Sequence, residues 1–354
     1  MRRAEFAMAP EAARAFLTEQ ATFHLASTRA DGTPLLRTLH GVVVDGHLVF
    51  HSAPAGDKTC VVGRPAVAAS EDLVAVVPST FFDPIKACPA TTYYRSVQVE
   101  GTVVAIEEPG AKARALQALM EKLQPGGGYR PITADDAMYR GPVRGLLVAG
   151  LALTSDRVTG KAKLAQNRKA AEVSALLSSL WRRGDDGDVR AIELVRDANP
   201  AAAMPPELTG PVGITLHPWL PAAEAAQVAR LLDGTYWNTG YTLAQLARAQ
   251  VGSTAWIGAR DASGALIGSA RALADTGKLA WIYDVIVAPS WRGRGVGTAL
   301  VRMLLDHPAV RGTSRVMLGT RDAQEVYRRL GFVERAALAS GYPTTDMVLV
   351  RATP

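Results

Sequence analysis

Residues 197–211 read DANPAAAMPPELTGP, and the four prolines Pro200, Pro205, Pro206 and Pro211 forbid a regular helix or central strand across the stretch. Periodic apolar patterns lie on both sides of it, which is the signature of a linker between two folded parts. Length agrees, because 354 residues exceed what one hydrophobic core usually organises. The expected layout is a first domain over 1–196, a linker over 197–211 and a second domain over 212–354.

Composition narrows the class. Apolar residues at 48% and charged residues at 20% fit a globular chain and argue against disorder, collagen or a coiled coil. No run approaches the roughly 18 apolar residues a membrane helix needs, so no membrane partner is expected. The opening MRRAEFAMAPEAARAFLTEQ has no continuous apolar stretch, which predicts no secretory signal. Cys60 and Cys88 are the only cysteines and form no Cys-x-x-Cys pair, as suits a reducing cytoplasm. The net charge of +6 is spread along the chain without a basic block, which disfavours nucleic acid and suits small phosphorylated ligands.

The first part reads as β-rich with helices at its margins. A helix starting near Pro10 precedes the strands FHLAST, PLLRTLHGVVV and HLVFHS, and Asp45-Gly46 supplies a hairpin turn that demands positive φ. Apolar stripes at Leu116, Leu119, Met120 and Leu123, and again at Val173, Leu176, Leu177, Leu180 and Trp181, predict two core-facing helices. The second part alternates helices and strands, which predicts an α/β fold with a mixed sheet. Its strands include LAWIYDVIVA, SRVMLGT and a closing TDMVLVR.

IVAPSWRGRGVGTAL, residues 286–300, reads as strand, glycine-rich turn and helix start. Gly293, Gly295 and Gly297 permit close backbone approach, and unpaired amides at a helix N-terminus attract an anion. A P-loop would need lysine and then Ser or Thr after its last glycine, and a dinucleotide fold would place the turn after its first strand. Neither context is present, which leaves the pyrophosphate of coenzyme A. Within the apolar strand before the turn, Asp284 is costly unless it has a task or a partner, so it is a candidate general base or a structural hydrogen-bonding residue. Asp322 is expected to cap the following helix. Trp237, Trp256, Trp281 and Trp291 are candidates for an acceptor pocket or for core.

Arg292-x-x-Gly295-x-Gly297 together with RDAQEVYRRLGF resembles the acyl-CoA motif and the tyrosine helix of the GNAT N-acetyltransferases, over about residues 212–351. The resemblance implies acetyl-CoA as cosubstrate and a small amine as acceptor. It places Arg292, Gly293, Arg294, Gly295, Val296, Gly297 and Thr298 around the pyrophosphate, and Val287 along the pantetheine arm. Tyr327 falls at the family position of the acid that protonates the leaving thiolate; the plain alternative is a half-buried helix tyrosine. Direct transfer is expected, since no cysteine lies near to carry an acyl group.

In the first part, Arg37, His51, Ser52 and Lys58 form a plausible set for a terminal phosphate. ATFHLASTRADGTP, LLRTLHGVVVDGHLVFHS, GDKTCVVGRPAVAAS and YYRSVQVEG resemble the FMN-binding split β-barrels related to pyridoxamine 5′-phosphate oxidase, in the nitroimidazole-resistance-like branch. GKAKLAQNR is similar to a segment of FMN-binding negative transcriptional regulators. The resemblance implies FMN held by Arg37, Thr38, His51, Ser52, Lys58 and Thr59, with Arg95 and Ser96 approaching from the partner of a homodimer. The substrate-binding Arg-x-His of the oxidase itself is missing. No metal site is expected, because His47 and His51 on one strand stand about 13 Å apart; His24 and His40 are expected to face the barrel interior, and both cysteines to be buried. A flavin-dependent oxidoreductase, or a ligand-sensing regulator with an accessory second domain, is the alternative function.

Overall fold

The computed structural model describes residues 3–56 and 58–335. Contacts divide the chain into two units, one running to Leu180 and including Asp185–Ala203, the other comprising Trp181–Gly184 and the residues from Met204 onward. The expected closing strand TDMVLVR lies outside the described residues.

The first unit begins with α1 (Pro10–Glu19), then β1 (Thr22–Thr28), β2 (Pro34–His40), β3 (Val42–Val44) and β4 (His47–Ser52). Two long strands follow, β5 (Pro65–Val77) and β6 (Thr91–Thr102), then β7 (Val104–Ala105), α2 (Pro109–Leu123) and α3 (Arg140–Gly145). It closes with β8 (Leu147–Ala152), β9 (Val158–Lys163), α4 (Ala170–Arg183), whose last turn belongs to the second unit, and α5 (Asp188–Ala198). One antiparallel sheet runs β2-β1-β5-β6-β9 and a second runs β3-β4-β8-β7. Strand alternation explains the packing. Leu48 and Phe50 of β4 point into a core with Phe16, Phe23, Val97 and Leu151, while Val49 points the other way, to Leu116 and Leu119 of α2. The turn between β3 and β4 has φ of 47° at Asp45 and 71° at Gly46, as an Asp-Gly hairpin requires.

The second unit holds β10 (Ile214–His217), α6 (Ala225–Leu232), α7 (Leu243–Val251), β11 (Ala255–Asp261), β12 (Leu266–Ala274) and β13 (Leu279–Val287). Then come α8 (Val296–Asp306), α9 (Pro308–Arg311), β14 (Arg315–Met317) and α10 (Gln324–Arg328). The sheet order is β10-β11-β12-β13-β14, antiparallel except for the parallel β13–β14 pair. This is the expected mixed sheet. Helix α8 buries Val296, Leu300, Val301, Met303 and Leu304, each such burial stabilising by about 1.5–3 kcal/mol relative to exposure. A side chain at Gly268 would meet the Ile286 carbonyl at 3.0 Å and Leu300 at 3.2 Å, so glycine there lets α8 lie close on the sheet.

Candidate functional site

Strands β13 and β14 pair only from Leu279–Arg315 to Trp281–Met317. From Ile282 onward β13 continues without β14, and the chain after Met317 turns away through Leu318–Ala323. A cavity of about 880 Å³ opens at this divergence, lined by Ile282–Val285, by Leu318–Ala323 and by Tyr327. Strand β13 leads on to the glycine turn. Gly293 and Gly295 adopt φ of 74° and 79°, a region that favours glycine, and Gly295 is the N-cap of α8. The first intrahelical donor is Ala299, whose N–H reaches the Gly295 carbonyl at 3.0 Å. The amides of Val296, Gly297 and Thr298 therefore precede the helix ladder. Arg292 donates from Nε to the Val287 carbonyl at 3.1 Å, and the Arg294 guanidinium lies 4.7 Å from the Trp291 ring centre. These contacts hold the turn at the end of β13.

Tyr327 projects from the one-turn helix α10 into the same cavity. Gly331, at φ of 90°, ends the segment, and Phe332 folds back to bond the Tyr327 carbonyl at 3.1 Å and set its ring edge-on to the phenol ring at 5.8 Å. Burial, with Tyr236 and Asp322 nearby, raises the Tyr327 pKa above its ordinary value, so the phenol keeps its proton. Asp322 does not cap the helix as expected. The Ala323 amide donates to Thr320 Oγ1 at 3.1 Å, while Asp322 stays exposed beside Arg321.

Asp284 occupies a buried position at a bulge of β13, with φ of 52°. Its Oδ1 accepts from Trp237 Nε1 at 3.2 Å and from Asn238 Nδ2 at 3.3 Å. Its Oδ2 accepts from Gln250 Nε2 at 3.2 Å and from Arg271 Nε at 2.6 Å. Four donors on two oxygens are the surroundings of an anchoring anion, which disagrees with an uncommitted proton acceptor. Of the four tryptophans, Trp237 and Trp281 line the cavity, Trp256 is buried against Ser269, and Trp291 stacks with Arg294. Arg271, Gln250 and Asn238 escaped the sequence reading. The available signal was a single arginine and a single aspartate, each isolated in an apolar strand of the same domain.

The first unit brings together only part of its expected set. Burial, with the Lys58 ammonium and His40 nearby, pushes the His51 imidazole below its ordinary pKa. Thr59 donates to the Gly56 carbonyl at 2.7 Å, and Thr38 Oγ1 lies 3.1 Å from His24 Nδ1. Arg37 donates to the Leu36 carbonyl at 2.7 Å. His51 and Ser52 are consecutive on β4, so their side chains leave opposite faces of the sheet. The same alternation separates Arg95 from Ser96. Arg95 turns to Asp72, at 2.8 Å, with its guanidinium 5.1 Å from the Phe16 ring centre. Ser96 sits across from Lys161 of β9. Arg190 of α5 takes the other share of Asp72. Arg95 is thus engaged within the unit by Asp72 and Phe16. His24 and His40 face outward, His24 lying 3.3 Å from Glu71, and Cys88 is exposed; these three depart from expectation. A smaller cavity of about 440 Å³ is lined by Tyr94, Lys161, Lys163 and Arg168.

Comparison with known proteins matches this division. The model of the family described as pyridoxamine 5′-phosphate oxidase matches residues 9–162, and that of the acetyltransferase (GNAT) family matches residues 223–332. The chain is similar to the uncharacterized N-acetyltransferase ycf52 of Pyropia yezoensis, with 33% identity over 76 residues, 21% of this chain and 44% of that protein. Glucosamine 6-phosphate N-acetyltransferase 1 of Oryza sativa subsp. japonica is 33% identical over 75 residues, 21% of this chain and 46% of its own. The chain thus spans less than half the length of these curated relatives. Among solved structures, the FAD and heme binding protein of Mycobacterium smegmatis covers 44% of this chain and 71% of its own at 24% identity, with a TM-score of 0.38. The chain joins a domain of the pyridoxamine 5′-phosphate oxidase family to a domain of the GNAT acetyltransferase family.

Proposed function

We propose that the chain transfers the acetyl group of acetyl-CoA directly to a small amine in the cavity between β13 and β14. The observation that carries this reading is the glycine turn ahead of α8, whose forward amides stand at the end of the same strand that lines the cavity. The amides of Arg294, Gly295, Val296 and Gly297, with Thr298, hold the pyrophosphate; Arg292 and Gly293 shape the turn, and Val287 lies along the pantetheine arm. The amine nitrogen, having lost its proton to water, attacks the thioester carbonyl carbon. The carbon–sulfur bond then breaks, and the departing thiolate takes the proton of Tyr327 Oη. Asp284 acts as a positioning residue for Trp237 and Asn238, which it holds at the cavity wall. Replacing Tyr327 by Phe is expected to lower kcat by about 10²-fold with acetyl-CoA affinity unchanged. Equal kcat in the variant removes Tyr327 from the mechanism.

The first domain, on this reading, binds a flavin, with FMN the expected form, in a homodimer. Its support is the family match together with the closeness of His51 and Lys58, a pairing suited to a phosphate. Arg37, Thr38, Ser52, Thr59 and Ser96 remain candidates for the same ligand. Purified protein is expected to carry flavin absorbance that Lys58→Ala reduces; colourless protein that takes up no added FMN overturns this half.

A further inference from the structure

The geometry points to an acceptor of defined chemistry: a single primary amine carried on a flat apolar body, of which an arylalkylamine is the simplest form. This rests on the acetyl-transfer reading above. Among the described residues, five aromatic ones besides Tyr327 line the cavity, namely Tyr236, Trp237, Tyr241, Trp281 and Tyr283. Four of them keep 36–59% of their surface exposed, Tyr283 least and Tyr241 most, although aromatic rings are the groups whose burial stabilises most. A cluster of unburied rings around one concavity marks a binding surface.

The rings are also held in place before anything binds. Trp237 is tied to buried Asp284 through its indole N–H, and Tyr236 meets it edge-on at 4.8 Å. Trp281 and Tyr283 stack at 5.9 Å with planes 21° apart. The Arg321 guanidinium covers Tyr236 at 3.6 Å, and the Tyr236 hydroxyl accepts the Arg321 amide at 3.1 Å. Prepositioned walls lose little freedom when a flat ligand enters between them.

Charge among the described lining residues disfavours the other common amines. The described lining residues carry two carboxylates, Asp284 and Asp322, and two guanidiniums, Arg271 and Arg321. Arg271 is bonded to Asp284 at 2.6 Å, and Arg321 lies 3.7 Å from Asp322. A polyamine or an aminoglycoside requires several carboxylates uncommitted to other cations, and a phosphorylated amino sugar requires a cation uncommitted to a carboxylate. A balanced, aromatic wall offers neither and favours apolar contact.

The test is acetyl transfer by the full chain, read as thiol release, with 2-phenylethylamine, tryptamine, spermidine and glucosamine 6-phosphate as acceptors. The two arylalkylamines are expected to have kcat/KM at least about tenfold above the other two, a difference of about 1.4 kcal/mol. Tyr241→Ala, at the most exposed ring and away from the core, is expected to raise the arylalkylamine KM several-fold while the acetyl-CoA KM stays unchanged. Faster turnover of spermidine or glucosamine 6-phosphate, or an unchanged amine KM in Tyr241→Ala, overturns the acceptor class and leaves acetyl transfer standing. Absence of thiol release with all four amines, in protein that binds acetyl-CoA, overturns both.

Discussion

Two buried groups in the second domain carry charge-dependent consequences. His307 is almost fully buried, and burial depresses its imidazole to a pKa of about 4, against an ordinary 6.5. The folded state therefore binds fewer protons than the unfolded state between those values. The stability this contributes is complete above pH 6.5 and is lost progressively as pH falls toward 4, by up to ~3 kcal/mol. Thermal melting between pH 7 and pH 4 is expected to show a falling Tm, and His307→Asn, which keeps a side-chain acceptor for the Ala309 amide, is expected to flatten that slope. Asp284 is the other group. Removing its carboxylate in Asp284→Ala leaves the half-buried Arg271 without its carboxylate partner, a loss of about 2–4 kcal/mol once partial exposure is allowed for, and frees Trp237. Asp284→Asn keeps the size and tolerates the positive φ, so it is expected to fold while raising the amine KM. An unaltered amine KM in Asp284→Asn would contradict the positioning role.

Elements differ in how far their own sequence dictates them. The glycine turn and α8 were legible because the determinants are local: glycines where φ is positive, an apolar stripe behind them, and amides that no helix can pair. The tyrosine helix was legible for the same reason, although it spans only Gln324–Arg328. The environment of Asp284 was not, since its donors arrive from the segment after α6, from α7 and from β12, which only the tertiary fold brings together. The same limit hides the surroundings of Arg95, whose carboxylate partner sits on β5 and whose competitor Arg190 sits on α5, nearly a hundred residues later. Helix α5 itself and the short strand β10 were not anticipated either, the first lying just before the prolines and the second just after them. The Asp72 tie among β5, β6 and α5 gives a prediction at this scale. Burial alone would raise its carboxyl pKa, but Arg190 and Arg95 outweigh that and hold it below the ordinary value. Its stabilisation is thus present above pH ~4 and fades as pH falls through the depressed folded value. Asp72→Ala is expected to cost about 2–4 kcal/mol in denaturant unfolding of the first unit, and a change under 0.5 kcal/mol would show the tie to be ornamental.

At the scale of the whole molecule, two domains matched by different family models occupy one chain. The mildly basic chain suits ligands that carry phosphate. If the first domain assembles as the resemblance implies, sedimentation of the intact protein will report a dimer whose acetyl-CoA sites number two. Acetyl transfer as proposed depends on the turn before α8 receiving a diphosphate. Gly295 is the residue to alter, because a side chain there must accept a φ of 79°, which costs of order 1–3 kcal/mol and displaces the amides. Calorimetric titration of acetyl-CoA into the intact chain, beside a folded Gly295→Val variant, is the most direct measurement. One site per chain is expected in the unaltered protein and at least a tenfold weaker one in the variant; no binding heat in the first, or equal affinity in both, would contradict diphosphate binding at this turn.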